Sequence, residues 1–170
     1  MKYSYAKRRI KSGDILAWSG SSFFSNTVKV LTKSQYSHIG IAWRVNGKLL
    51  IVEALEGKGV RIFPAYRKTP FYFLKRSKFI FTKRMEQKML SHIGDNYSWF
   101  GCVRGWLGFK TRKDNRFQCA EFVNYILNVG EKCETPVKIV TYLIENGARL
   151  YFVKKLTKDE KRNLENKFIY

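Results

Sequence analysis

Along the chain, the apolar positions gather into two β-rich runs, residues 39–45 and 49–55, which flank the dipeptide Asn46-Gly47. Asn-Gly between two β-rich runs signals a tight hairpin, because both residues accept the left-handed backbone of a type I′ turn. A turn at Ser12-Gly13-Asp14 introduces a short buried strand over 15–18, and residues 60–63 and 78–82 read as further strands. Residues 22–31 can form a short helix with Phe23, Phe24, Val28 and Leu31 on its apolar side. Residues 83–93 place Met85, Met89 and Ile93 on one helical face, and Gly94 is the stop. Residues 95–110, rich in glycine and aromatics, read as a shaped loop or a broken helix. A clean amphipathic helix covers 119–129, with Gly130 after its end. Thr135-Pro136 starts another helix in the favoured cap-then-proline order, and Gly147 ends it. Residues 149–154 read as a strand, and Thr157 with Glu160 forms a capping box for a last, polar helix. The fold class predicted is α+β: a mostly antiparallel sheet packed against helices. No domain boundary interrupts residues 1–170; a core at about 12–130 is followed by a helix–strand–helix extension at about 131–170.

The hairpin has a geometric consequence. With Asn46 and Gly47 as the two loop residues, Val45 faces Lys48, Gly40 faces Glu53 and His38 faces Leu55. Opposed residues point to the same face of a sheet, so His38, Gly40, Glu53 and Leu55 share one face and His38 and Glu53 are diagonal neighbours, about 7–8 Å apart in the backbone. Gly40 leaves space where the two side chains would meet. The opposite face holds Ile39, Ile41, Trp43, Leu50 and Val52, ordinary core. A slip of one residue would separate His38 from Glu53 across the sheet.

Cys119 opens the later amphipathic helix, on one stripe with Phe122, Val123, Ile126 and Leu127. That stripe faces whatever the helix packs against, so Cys119 is expected to face the sheet. In the first turn its sulfur meets the positive end of the helix dipole and unpaired backbone N–H groups, which favour thiolate. The same N–H groups suit an oxyanion. If the helix start meets the hairpin, His38 takes the thiol proton, Glu53 fixes the imidazole tautomer and Cys119 attacks an acyl carbon to form a thioester. Tyr36 could supply a further hydroxyl donor.

Composition adds one large fact. The chain of 170 residues carries a formal charge of +20, with 45% hydrophobic and 16% aromatic residues. Residues 1–85 hold 18 Lys/Arg against 3 Asp/Glu, a balance of +15, and residues 86–170 hold 15 against 10. Such a field attracts polyanions: nucleic acid, an anionic membrane or a wall polymer. A lysine-rich surface that only solubilises is the plain alternative. Cys102, Cys119 and Cys133, odd in number and 17 and 14 apart, make neither a disulfide framework nor a zinc pattern. With two histidines in all, neither a metal nor any other cofactor is expected. The basic N-terminus lacks the apolar run of a secretory signal, and no stretch approaches the roughly 20 apolar residues of a span. The expected location is the cytoplasm or a virion that packages the protein.

The ordered segments Gly13-Asp14-Ile15-Leu16, Tyr36-Ser37-His38-Ile39-Gly40-Ile41, Val52-Glu53-Ala54 and Gln118-Cys119-Ala120-Glu121-Phe122-Val123 resemble a family. It is the circularly permuted NlpC-type papain-like superfamily, with its YiiX/YaeF-like bacterial and viral members and its lecithin–retinol acyltransferase relatives. In that family the histidine strand precedes the nucleophile helix, as here. The resemblance covers roughly residues 12–130. It implies a cysteine hydrolase or acyltransferase acting on an amide, ester or thioester bond, with Cys119 as nucleophile, His38 as base and Glu53 as third polar residue. Tyr36 and Gln118 are candidates for substrate or oxyanion contacts. The family does not choose a substrate, and a non-catalytic, basic binding or packaging module on the same scaffold is the alternative.

Each of these residues also has a structural reading. Cysteine is among the most buried residue types, which suits Cys102 and Cys133. His92 falls in the last turn of a helix and Glu121 in the first turn of one, where each charge is favoured anyway. Asp14 reads as organising the turn before the first strand, and the 99–106 stretch could line a cleft or simply pack.

Overall fold

The computed structural model describes residues 1–19, 36–97, 116–130 and 133–166. The expected helix at 22–31, Cys102 and the 99–106 stretch lie outside the described residues. A six-stranded antiparallel sheet, in the order β4-β3-β2-β1-β5-β8, organises the rest. Its strands are β1 (Ile15–Trp18), β2 (His38–Val45), β3 (Lys48–Leu55), β4 (Gly59–Pro64), β5 (Phe71–Lys75) and β8 (Arg149–Val153). A two-residue parallel pair, β6 (Asn96–Tyr97) with β7 (Arg116–Phe117), lies beside the start of β4. The helices are α1 (Tyr3–Arg9), α2 (Lys83–Leu90), α3 (Cys119–Leu127), α4 (Pro136–Glu145) and α5 (Lys158–Asn166), with a 3-10 turn at Ala65–Lys68.

The hairpin forms as its turn residues dictate. Asn46 and Gly47 adopt φ of 48° and 70°, and the register runs Val45↔Lys48, Trp43↔Leu50 and Ile41↔Val52. The sheet's two faces carry separate cores. On one, Ile39, Ile41, Val52 and Ala54 pack with α3 and α4 through Phe122, Val123, Ile126, Ile139 and Val140. On the other, Leu16, Trp18, Ala42, Leu49 and Ile51 pack with Ala6 and Ile10 of the N-terminal segment and with Ala65 and Tyr66. Arg44 ties that N-terminal segment down: its Nη1 donates to the carbonyls of Lys7 (2.9 Å) and Ile10 (3.3 Å) at the end of α1.

Several elements depart from the sequence reading. Residues 78–82 form no strand; the place beside β1 goes to Phe71–Lys75, an aromatic run that was not assigned. Phe79 and Phe81 still point inward as their alternation implies, while Ile80 is 77% exposed. Helix α1, likewise unassigned, is basic but anchored by buried Tyr3 and Ala6. The helix over 83–93 stops at Leu90, and turns carry the chain to Gly94. Helix α3 ends earlier than Val129, because Asn128 rather than a glycine takes the left-handed cap position (φ 47°). The capping box at the last helix forms as expected, with Thr157 N–H donating to Glu160 Oε2 at 2.9 Å and Glu160 N–H to Thr157 Oγ1 at 3.2 Å.

Gly40 has a packing reason to be glycine. A Cβ there would lie 2.8 Å from Ile51 Cγ2 and 3.2 Å from Glu53 Cβ. Gly40→Val is therefore expected to destabilise the fold by about 1–3 kcal/mol, the usual cost of overpacking, seen as a lower urea midpoint at unchanged m.

Candidate active site

Glu53 lies at the centre of the site. Its side chain is fully buried on β3, and among the described residues its carboxylate is met by an imidazole and two cations. His38, at the start of β2, brings Nε2 to 2.7 Å from Glu53 Oε2. Arg61 on β4, directly opposite Glu53 in the register, donates to Oε1 through Nε (3.1 Å) and Nη2 (2.9 Å). Lys68, last residue of the 3-10 turn, donates its Nζ to the same Oε2 that His38 uses. Trp18, paired with His38 across β1 and β2, holds both: its ring lies 5.5 Å from the imidazole, Lys68 Nζ sits 4.5 Å from its centroid, and its indole N–H donates to Lys68 O at 2.7 Å.

The ionisation states follow from these contacts. Burial alone would raise the Glu53 carboxyl, but the hydrogen bond and charge of His38, together with Lys68, hold it well below the usual carboxylate range. Burial lowers His38, and the charges of Lys68 and Arg61 lower it further, against the opposing pull of Glu53. Near neutral pH the imidazole is thus uncharged beside an ionised carboxylate. With Nε2 on Glu53, the tautomer that donates there leaves Nδ1 as a proton acceptor. Lys68 is lowered by its burial, opposed by Glu53 and by the charge of Cys119.

Cys119 begins α3, with 6% of its surface exposed. Its helix covers the Ile39–Val52 face of the sheet, opposite the face of His38 and Glu53. The approach to α3 runs along the sheet end where β3 finishes and β4 starts: Val60 N–H donates to Asp95 O, Gly94 N–H donates to Val60 O, and β7 continues beside β6 into Cys119. That is also the end at which β2 begins with His38. Electrostatically, Cys119 acts on Lys68 of the Glu53 cluster. Glu121, in the first turn of α3, accepts from the Gln118 N–H at 3.4 Å.

Of the remaining candidates, Tyr36 is buried with Cys119 in one core and packs edge-on against Tyr72, 5.4 Å between centroids. Gln118 is buried, and its amide donates to Glu134 O at 3.3 Å, toward α4. Asp14 organises its turn, accepting from the N–H of Lys11 at 2.8 Å. His92 pairs with Asp95 at 2.7 Å and packs on Phe117 and Tyr125. Cys133 is buried, and burial pushes its thiol up against a smaller opposing effect of Lys138. The sequence reading missed Arg61 and Lys68. Arg61 was legible, since the β3–β4 turn places it opposite Glu53; Lys68 arrives from a 3-10 turn that no periodicity announces.

Among the described residues, no group of three or more His, Cys, Asp or Glu could hold a metal ion. The Glu53 carboxylate is already taken up by two cations and an imidazole, so this donor set does not fit a divalent cation. No described helix is long and apolar enough to cross a membrane.

Glu53 contributes stability above the ordinary carboxyl value of about 4.3, where the unfolded chain is also ionised; that contribution is lost as pH falls below it toward the depressed folded value. Glu53→Gln, which leaves Arg61 and Lys68 without their counter-charge, is expected to cost about 3 kcal/mol at pH 7. Urea unfolding of both proteins at pH 7 and pH 3 checks this: the gap should narrow in acid.

Comparison with known proteins bears on the fold. No family model matches the chain, and no curated protein matches it in sequence. Among solved structures it is similar to the crystal structure of the metalloprotein YiiX from Escherichia coli O157:H7 (DUF1105), with a TM-score of 0.57 and 21% identity. The match covers 69% of this chain and 64% of that one, so the chain accounts for less than two thirds of YiiX's length. The chain has a YiiX-like α+β fold, built on a six-stranded antiparallel sheet.

Proposed function

We propose that this protein is a thiol hydrolase of papain-like type, with Cys119 as nucleophile, His38 as base and Glu53 as the group that orients it. The observation that carries the reading is the contact of His38 Nε2 with a buried, ionised Glu53, which presents an uncharged imidazole with Nδ1 as acceptor. Cys119, first in its helix and coupled by charge to Lys68, is the matching thiol.

In this mechanism Nδ1 takes the thiol proton and the sulfur attacks the acyl carbon of an amide, ester or thioester. The tetrahedral oxyanion is met by backbone N–H groups at the start of α3. Collapse breaks the bond to the leaving group, which receives the proton from the imidazolium, and a thioester to Cys119 remains. His38 then takes a proton from water; the hydroxyl adds to the thioester, and the acid leaves as the thiol is restored. An acceptor other than water would make the same chemistry a transfer.

Iodoacetamide near pH 7 should label Cys119 at least about tenfold faster than Cys102 or Cys133, and His38→Ala should slow that labelling by about 10²-fold, the low end for a general base. Because His38 is lowered, the acid limb of the labelling profile should lie below the usual imidazole value of about 6.5. Equal, sluggish labelling of all three cysteines would overturn the reading.

A second reading, a basic module that docks on a polyanion, is favoured by one surface. Lys154 N–H donates to Met1 O, which brings the exposed Lys2 next to the exposed Lys154 and Lys155, and α1 adds exposed Arg8 and Arg9. Binding to a labelled oligonucleotide should then fall steeply with salt, by about 10³-fold or more between 50 and 200 mM if six or more phosphates are contacted. It should survive Cys119→Ala. No binding at low salt removes this reading.

A further inference from the structure

Lys68 is the group that the proposed chemistry leaves unexplained. It is a lysine held largely out of water at three points: its Nζ on Glu53 Oε2, the same Nζ over the Trp18 ring at 4.5 Å, and its carbonyl accepting from the Trp18 indole at 2.7 Å. A lysine needed only to neutralise Glu53 would be redundant, since Arg61 already occupies Oε1 with two hydrogen bonds.

We propose that Lys68 is a positioning residue of this site: by sharing Glu53 Oε2 with His38 Nε2 it keeps the imidazole uncharged, and it supplies the positive charge that a Cys119 thiolate requires. The second half rests on the hydrolase reading; the first does not. A carboxylate facing a single imidazole draws a proton onto the ring and forms a carboxylate–imidazolium pair. Here, among the described residues, the ionised groups around the ring are Glu53 on β3, Arg61 on β4 and Lys68 on the 3-10 turn, so their sum is already one positive charge. Protonating His38 would raise that to two in a largely buried cluster. Ionising Cys119 at the start of α3 would bring it to zero. The cluster therefore disfavours imidazolium and favours thiolate, in keeping with the downward push of Lys68 on His38 and with the mutual attraction of Lys68 and Cys119. Lysine suits the role better than a second arginine, because a compact ammonium can share one oxygen with a neighbour, whereas a guanidinium fork spans both.

The test uses the full chain and two readouts. The chain holds only two histidines, so the ring resonances of His38 can be assigned with His92→Gln and followed by NMR against pH. In Lys68→Met the His38 midpoint should rise by about one pH unit or more, and Cys119 alkylation by iodoacetamide at pH 7 should fall by about tenfold. Lys68→Arg, which keeps the charge but not the compact sharing of Oε2, should leave both readouts between the parent and Lys68→Met. Lys68→Gln serves where the methionine variant does not fold, as judged by circular dichroism. A His38 midpoint unmoved in a folded, uncharged variant overturns the proposal. A raised midpoint in a protein whose Cys119 is no more reactive than Cys133 supports the Lys68–Glu53–His38 linkage and overturns both the thiolate role and the hydrolase reading.

Discussion

A single buried carboxylate organises the charged cluster at one end of the sheet. Glu53 has no exposed surface, yet three groups from three other elements converge on its two oxygens: His38 from β2, Arg61 from β4 and Lys68 from the 3-10 turn. An unpaired charge in such a place would cost several kcal/mol. The surroundings are therefore bound to supply cations, and Arg61 and Lys68 supply them. On the proposed reading the arrangement couples stability to function in one place, since Lys68 and Arg61, which hold Glu53 ionised, also push His38 toward its uncharged form.

The sheet makes this convergence possible. Register in the β2–β3 hairpin fixes His38 beside Glu53, and register in the β3–β4 pair fixes Arg61 opposite Glu53. Gly40 leaves room on this face for Ile51 and Glu53, whose atoms a Cβ there would crowd. The two faces are then used differently. One carries the charged cluster above a core closed by the N-terminal segment, and the other carries α3 and the cysteine. The site as proposed is thus assembled around the end of the sheet, where β2 begins and α3 is entered, rather than across one face.

The hairpin was readable in detail because its turn is local chemistry: Asn46 and Gly47 leave the backbone one register, and a period of two does the rest. The strand at Ile15–Trp18, the helix starting at Cys119 and the Thr157 cap were readable for similar local reasons. What escaped depended on competition between segments. Residues 71–75 and 78–82 are both aromatic runs, and only tertiary pairing with β1 and β8 decided for the first. Helix α1 gave no sequence signal because its burial within the helix rests on just Tyr3 and Ala6. Lys68 was invisible for the same kind of reason: its reach to Glu53 depends on where a 3-10 turn docks, and no sequence period encodes that. The YiiX-like resemblance, by contrast, was legible in the ordered segments around Asp14, His38, Glu53 and Cys119, and the fold similarity to YiiX at 21% identity agrees with it.

The central claim is that Cys119 carries an acyl group. It is tested most directly by reaction with an activated ester, p-nitrophenyl acetate, followed by acid quench and peptide mass mapping. The account predicts a burst of about one p-nitrophenol per chain, with the acetyl group on Cys119 and removable by hydroxylamine. An acetyl group found only on lysines or on Cys133, with Cys119 unmodified, would contradict it.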